Sequence, residues 1–502
     1  MLISFDSQYI ANGLRSLHKL SIEMGYDSKL YFPCRIQYAK QEDIQYPILK
    51  GLEKFKPDIV GISLMTYNYN LAVITAKLIK RYSPETIIVW GGWHPSSSPS
   101  DCLPHADFIC LGEGEISFLA LIKELSVSKN PKIQGIYKAP PFDKFSPLLS
   151  NLDCIPPTHY NFEKEYYFSW ENNHIEKLSM DKYLSYHDGI YHVFTGRGCP
   201  YACKYCCEGN IHDRVGVTKR TIIRYRSVKH IMLELEEAIK NKNLKFIEIY
   251  DSEFLSKPYE YIKQFSGEYK KRIGLPFYAT FNTLSFNNDK FNQLVKAGLK
   301  RVRIGIQHGS PRIRKIYNRQ ETDERILEVF RMISRYSSYY MYPVDYDLIL
   351  DSPWENEKDI EDTVKLISKL SGFTRYHQFQ FVLLPGSALY EEVVQGKHKD
   401  VLDESEYTKY IIRHGSLGII NNDIAHYKNY LKMLIKVFSV YSIPSYFSSN
   451  FIALYRNKVF RRVILYLYKS SDIFFRMRFF AMRKRNKIIN IGRSMFNVSE
   501  IK

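Results

Sequence analysis

Short apolar runs alternate with helix-spaced apolar positions along residues 1–140. Residues 2–5, 30–32, 58–65, 86–90 and 108–111 have strand length. The third, Asp-Ile-Val-Gly-Ile-Ser-Leu-Met, is almost continuous, as expected of a strand covered on both faces of a parallel sheet. Between these runs, residues 10–24 place Ile10, Leu14, Leu17 and Leu20 at helical spacing and stop at Gly25, a C-cap residue. Residues 43–55, 71–82 and about 115–125 read as further helices. Such alternation predicts right-handed crossovers and an α/β, Rossmann-like doubly wound parallel sheet that binds ligands outside the carboxyl ends of its strands. The pattern lapses over 141–188, which is rich in Pro, Asn and Tyr and contains Pro156-Pro157. This stretch reads as a linker with some strand near 166–170 and 175–180.

Alternation resumes over 189–400. Strands are expected at 191–195, 246–250, 277–281, 302–306, 345–350 and 378–383, with helices such as 228–240, 289–297 and 324–334 between them. Six strand–helix units are too few for a closed eight-stranded barrel. Residues 401–502 form a mainly helical, basic C-terminal region. Within it, 437–455 is uncharged, but Pro444, Asn450 and five serines argue against a membrane-spanning helix.

Composition narrows the picture. The 502 residues are 45% hydrophobic and 15% aromatic, which excludes wholesale disorder. No secretory signal is visible at the N-terminus. Eight cysteines, three of them in one loop, are not a disulfide framework, and a reducing cytoplasm fits. Net charge is +18, and from Arg456 onward thirteen Lys/Arg face only Asp472 and Glu500. Residues 464–487 interleave aromatic and aliphatic residues with Arg and Lys. Two readings stand: a lid packing its aromatics on the core, or an amphipathic helix on an anionic membrane surface. Charge alone also permits nucleic acid, but no clear nucleic-acid element is present.

The candidate chemistry centres on Cys199-Pro-Tyr-Ala-Cys203-Lys-Tyr-Cys206, which follows a strand and a Gly196-Arg197-Gly198 break. Thiolates suit zinc or iron–sulfur clusters. A cubane 4Fe–4S cluster held by three cysteines keeps one iron open for a substrate or cofactor. The competing zinc reading needs a fourth ligand. Cys207 is the nearest candidate, and its adjacency to Cys206 makes it awkward for one tetrahedron.

The C-x3-C-x2-C spacing, with Tyr205 before the last cysteine, resembles the signature of the radical S-adenosylmethionine (SAM) superfamily. That resemblance implies a partial (βα)6 TIM-like barrel over 189–400, with chemistry at its strand ends. It implies a 4Fe–4S cluster on Cys199, Cys203 and Cys206, with SAM chelating the open iron. One electron then cleaves SAM to methionine and a hydrogen-abstracting 5′-deoxyadenosyl radical. Later motifs, in order, resemble the family's SAM-contacting segments: Asp251-Ser-Glu253-Phe, Asn282-Thr283, Gly305-Ile-Gln307-His308-Gly-Ser310-Pro-Arg312, and Leu384-Pro-Gly-Ser-x-Leu-Tyr390. The implied SAM contacts are Tyr205, Asp251, Glu253, Asn282, Gln307, Ser310 and Arg312. Gln307 and His308 depart from the family's Glu and small residue. Asp351 and Trp354 stand where relatives carry glycine, which points to a reshaped, substrate-specific pocket.

Upstream, Pro57-Asp-Ile-Val-Gly-Ile-Ser63, Gly91-Gly92-x-His94-Pro95 and Gly112-Glu113-Gly-Glu115 resemble the cobalamin-binding domain that precedes many radical SAM cores. The implied cobalamin contacts are Ser63, Thr66, Gly91, Gly92, His94, Gly112 and Glu113. The Asp-x-His-x-x-Gly ligand motif is absent, since Asp6-Ser-Gln-Tyr-Ile10 follows the first strand. Cobalamin is thus expected without a histidine below its metal, His94 serving as a turn cap or an amide contact. The expectation is a cytoplasmic enzyme, possible membrane contact aside, transferring methyl groups by cobalamin-dependent radical SAM chemistry to a small-molecule or natural-product substrate. Its external one-electron donor would be of the flavodoxin or ferredoxin kind. The alternatives are cobalamin-independent radical SAM oxidation, cyclisation or rearrangement, and a non-catalytic iron–sulfur or zinc scaffold. No catalytic side chain is singled out.

Overall fold

The structure is a computed structural model. It describes residues 1–495 except 7, 35–43, 158–161, 211–213, 215, 217, 371–373, 403–426, 442 and 444. The chain divides into two compact units. The first comprises Met1–Phe246 with Leu383–Lys399 and Asp403–Gly415; the second comprises Ile247–Val382, Asp400–Leu402 and Ser416–Lys502.

The first unit is built on an eight-stranded sheet. Its strands are β1 (Leu2–Ser4), β2 (Leu30–Phe32), β3 (Ile59–Ser63), β4 (Ile87–Gly91), β5 (Phe108–Cys110), β6 (Ile136–Tyr137), β7 (Glu165–Ser169) and β8 (His174–Lys177). Their order is β6-β5-β4-β3-β1-β2-β7-β8. All neighbours are parallel except the edge strands β6 and β8, which run antiparallel. The chain winds one way from β1 to β2 and the other way from β3, so a topological switch point falls between β1 and β3. The core is apolar and continuous: Ile3, Val60, Ile62, Ile88, Trp90 and Ile109 are buried in one cluster.

Residues 165–177, read from the sequence as part of a linker, add β7 and β8 to this sheet. They are anchored by a buried ion pair that local sequence cannot reveal, Arg15 to Glu165 at 2.9 Å. The second short strand ends at Lys177, not at 180. Ser179 accepts from the Lys182 amide and starts a helix over Met180–Tyr186, because a capping hydroxyl satisfies an otherwise orphaned N–H. The helix expected at 43–55 runs Gln45–Phe55, and Asp43 lies outside the described residues. This unit also holds β9 (Ile190–Val193) and a short hairpin of β10 (Gly196–Arg197) with β11 (Arg224–Tyr225).

The six strands expected of the incomplete barrel are all present. After β9 come β12 (Phe246–Ile249), β13 (Phe277–Asn282), β14 (Leu299–Gln307), β15 (Val344–Leu350) and β16 (Thr374–Gln380). From β12 to β16 neighbours pair in parallel, with helices between successive strands. Alternation sorts the two faces of this sheet. Val302, Ile304 and Ile306 of β14 and Tyr346, Leu348 and Leu350 of β15 are buried. The intervening positions include charged residues that pair across the strands: Arg301 with Asp345, Arg303 with Asp347, and Arg375 with Asp345. Strand β16 starts and ends earlier than the expected 378–383. The apolar run after Gln378 suggested a later strand, whereas the ladder is made by Thr374–Gln380, whose Arg375 and His377 lie against Asp345. The helix Tyr427–Tyr441 packs on the Glu357–Ser368 helix and on β16, and the long helix Lys458–Met495 packs on it in turn. Pro444 lies outside the described residues.

Candidate functional site

In the first unit, the sites expected for cobalamin fall at the carboxyl ends of β3, β4 and β5. Ser63 ends β3 and Gly91 ends β4. Gly92 follows with φ +97°, and a Cβ there would come within 2.8 Å of the Ser63 hydroxyl and 3.0 Å of the Leu64 carbonyl. Only glycine fits both that backbone conformation and that approach. The His94 amide donates to Leu64, and its ring Nδ1 lies 3.3 Å from the Thr66 hydroxyl. Its Nε2 is buried and has no hydrogen-bond partner among the described residues. Burial lowers the His94 pKa and keeps the ring neutral. The Ser96 hydroxyl donates to the Gly92 carbonyl and accepts from the Gly112 amide, tying the β4 and β5 ends together. Below the switch point, Asp6 accepts the amides of Gln8 and Ile10 and so pins the loop after β1.

Glu113 does something the sequence did not suggest. It receives two hydrogen bonds from Arg224, at 2.9 and 2.6 Å, and pairs with Arg197 at 3.1 Å. Arg197 also reaches Glu115 at 2.6 Å. Burial acts to raise the Glu113 pKa, but the two guanidiniums hold it below the usual carboxylate range. Arg197 and Arg224 pair across the β10–β11 hairpin that leads into the cysteine loop. Gly198, with φ +87°, turns the chain where a Cβ would strike the Ile222 carbonyl.

The cysteine loop is held by its own backbone and by residues 383–399 of the same unit. The Cys206 amide donates to Cys203, and Gly209 donates to Cys206. Gly209 lies so close to the Cys203 backbone that a Cβ would approach its carbonyl at 2.4 Å. Lys204 pairs with Glu392, and the Leu389 amide donates to the Lys204 carbonyl. Cys203 is buried, while Cys199, Cys206 and Cys207 are partly exposed. Cys207 donates to the Pro385 carbonyl at 3.6 Å. Burial pushes the Cys206 thiol up to about 12 and the Cys207 thiol up to about 11. Tyr205 lies within this loop.

In the second unit, the remaining expected SAM contacts sit at or beyond the ends of β12, β13 and β14. Asp251 forms a buried ion pair with Lys257 at 2.5 Å. Glu253 is buried and accepts from the Leu255 amide at 3.0 Å; burial raises its pKa to about 7. Asn282 accepts from the Leu284 amide at 2.8 Å. Gln307 adopts φ +68° at the end of β14. Ser310 caps the next helix and donates to Asp359 at 2.6 Å. Arg312 also binds Asp359 and donates to the Trp354 carbonyl. Against burial, which raises it, these bonds hold the Asp359 pKa low.

His308 is fully buried. Its Nδ1 accepts the Ser310 amide at 3.0 Å, so the ring proton sits on Nε2 and is donated to Glu355 at 2.9 Å. Asp351 adopts φ +64° and pairs with Lys432 of the Tyr427–Tyr441 helix. Asp359, Glu355, Lys257 and Lys432 were not singled out from the sequence. Asp359 had a readable signal, because Asn356-x-x-Asp359 is a capping box opening the Glu357–Ser368 helix. Glu355 and Lys432 act through pairings between distant segments, whereas Lys257 pairs with Asp251 within one loop.

Comparison with known proteins fits this geometry. Residues 193–367 match the model of the radical SAM superfamily, and residues 3–122 match that of the B12 binding domain. The chain carries a radical SAM domain behind a B12-binding domain. It is similar to an uncharacterised methyltransferase of Pyrococcus horikoshii, with 26% identity over 80% of each chain. Its fold resembles that of the radical SAM methyltransferase TsrM from Kitasatospora setae, solved with tryptophan substrate and a SAM analogue. That match has TM-score 0.59 and 15% identity and covers 79% of this chain and 75% of the other. It also resembles the cobalamin-dependent SAM radical enzyme OxsB, with TM-score 0.56 and 16% identity over 99% of this chain and 75% of the other.

The radical SAM and B12-binding domains imply a 4Fe–4S cluster, SAM and cobalamin. The residues present fit these groups. Three thiols in a clamped loop provide the soft donors a cluster needs, and a cationic cluster favours thiolates that burial alone disfavours. Among the described residues no three Cys, His, Asp or Glu converge on a single ion, whereas a cubane binds each thiolate at a separate iron. The Gly91-Gly92 turn, with the unpartnered His94 Nε2 beside it, suits a bulky ligand bearing amides.

Proposed function

We propose that this protein is a cobalamin-dependent radical SAM methyltransferase acting on an unactivated atom of a small-molecule or natural-product substrate. Cys199, Cys203 and Cys206 would hold the cluster. The bound groups supply one-electron cleavage of SAM and a transferable methyl group. The chain's own residues bind and orient. Ser63, Thr66, Gly92, His94 and Gly112 shape the corrinoid edge of the first unit. Asp251, Glu253, Asn282, Gln307, Ser310 and Arg312 offer carboxylate, amide and guanidinium groups suited to the amine, ribose and carboxylate of SAM.

The observation that carries the cobalamin-dependent reading is the Glu113 strut. The loop after β5, on the corrinoid side, is ion-paired to both arginines that bracket the entry to the cysteine loop. A vestigial domain has no need of a charged, largely buried tie to the cluster-bearing segment. A flavodoxin- or ferredoxin-type donor would deliver the electron, and the setting would be cytoplasmic.

The test is incubation of reconstituted protein with methyl-deuterated SAM and a low-potential reductant, followed by mass spectrometry. Reductant-dependent 5′-deoxyadenosine is expected, together with label on the bound corrinoid. Consumption of SAM without 5′-deoxyadenosine would remove the radical reading. 5′-Deoxyadenosine with no labelled corrinoid would leave radical chemistry that does not use cobalamin.

A further inference from the structure

The helix Lys458–Met495 has two different faces over its described side chains. Its inner face packs against the Tyr427–Tyr441 helix. Ile464 and Ser471 are fully covered, Phe474 stacks on Tyr441 at 4.6 Å, and the Tyr441 hydroxyl donates to the Leu467 carbonyl. Its outer face is apolar and exposed. Val459 and Tyr466 are each 71% exposed, Ile473 65% and Met477 66%. Val459, Tyr466 and Ile473 are seven residues apart, and Val463 and Met477 are fourteen apart, so these side chains form one stripe along the helix. Exposed apolar residues scattered singly need no explanation, whereas a continuous stripe marks an interaction surface.

Charge decides what that surface meets. Lys458, Arg462, Lys469 and Arg476 are exposed, and the last three repeat every seven residues along one flank of the stripe. The helix as a whole carries eleven Lys/Arg against Asp472 alone. Asp472 is engaged by Lys436 of the neighbouring helix at 3.0 Å. A second copy of the chain would bring the same excess of positive charge to the seam. An anionic lipid surface answers it, taking the apolar stripe below the headgroups and the basic flank at their level. Among the described residues no helix is long and apolar enough to cross a membrane.

We infer that the outer face of the Lys458–Met495 helix docks the protein on the surface of an anionic bilayer. The inference is independent of the radical chemistry. It would place the enzyme beside substrates or donors held at that surface.

The test is co-sedimentation of the full-length protein with vesicles of phosphatidylcholine alone, or of phosphatidylcholine and phosphatidylglycerol in equal parts. Recovery with the anionic vesicles only, reversed by salt, is expected. The R462E/K469E/R476E variant should bind the anionic vesicles roughly a hundredfold more weakly. The Y466S/I473S/M477S variant should lose sedimentation altogether. All six positions are exposed, so both variants should keep wild-type iron and corrinoid content, which separates failure of docking from failure of the cofactor reading. Equal recovery with both vesicle types, no recovery with either, or undiminished binding by the charge-reversed variant would overturn the inference. So would a concentration-dependent dimer, seen by light scattering, that the Y466S/I473S/M477S variant abolishes. That result would assign the face to a second copy.

Discussion

The strand ends of the first sheet and those of the barrel-type sheet occupy equivalent places in two α/β architectures, yet their chemistry differs. The ends of β3, β4 and β5 are shaped by glycines and neutral polar groups, Gly92 against Ser63, the neutral His94 beside Thr66, and Ser96 bridging to Gly112, with the charges of Glu113 and Glu115 taken up by Arg197 and Arg224. The ends of β12 and β14 and the segment after β15 are charged, and nearly every charge has a fixed partner: Asp251 with Lys257, Arg312 with Asp359, His308 with Glu355, Asp351 with Lys432. The first arrangement suits a large ligand that needs room and amide contacts. The second suits a small zwitterion that must be oriented. Paired carboxylates and guanidiniums are held rigid before the ligand arrives, so little ordering remains to be done when it binds.

Four predictions sharpen or break this comparison. The largest effect is expected at the cysteine loop. Cys203→Ala should abolish cluster assembly, while Cys207→Ala, whose thiol is turned to Pro385, should leave iron and sulfide content unchanged. Equal loss in both would overturn the ligand assignment.

The next effect concerns the buried carboxyl of the charged region. Burial raises the Glu253 pKa from 4.5 to about 7 in the folded state. Its contribution to stability is therefore complete below about pH 4.5 and is lost as pH rises through about 7. Urea titrations should show roughly 3 kcal/mol lost over that window, and Glu253→Gln should flatten the slope. An unchanged slope in the variant would contradict the burial argument.

Arg224→Ala leaves the largely buried Glu113 with one cation fewer. It should cost about 2–3 kcal/mol in a thermal or urea melt, somewhat less than complete loss of a buried pair because Arg197 remains. The smallest effect is expected at the glycine cradle. Gly92→Ala should weaken corrinoid binding roughly tenfold while sparing iron content. Equal loss of both cofactors would show that the two regions do not act separately.

What the sequence made legible follows the same division. The cysteine loop and the glycine turns were readable because thiol spacing and glycine positions are local signals. The parallel strands were readable because apolar runs mark them, β16 excepted. There Arg375 and His377 are held by Asp345, and a polar strand supported by distant ions looks like a loop. The place of β7 and β8 in the first sheet was hidden for a similar reason, since Arg15 and Glu165 lie far apart in the chain. Partners such as Glu355 for His308 and Lys432 for Asp351 were also out of reach, because each joins two segments whose proximity only the fold creates. His308, Asp351 and Trp354 did stand out as departures from the family pattern. They lie in one neighbourhood: His308 reaches Glu355, the residue after Trp354, and the Asp351 amide donates to the same carboxylate.

The central claim is that one chain holds both a cluster and a corrinoid. The most direct measurement is iron and corrinoid quantified in a single sample, purified anaerobically from cells supplied with cobalamin. About four irons and one corrinoid per chain are expected. Iron without corrinoid would contradict the two-cofactor account and reduce the first sheet to a scaffold for the radical SAM domain.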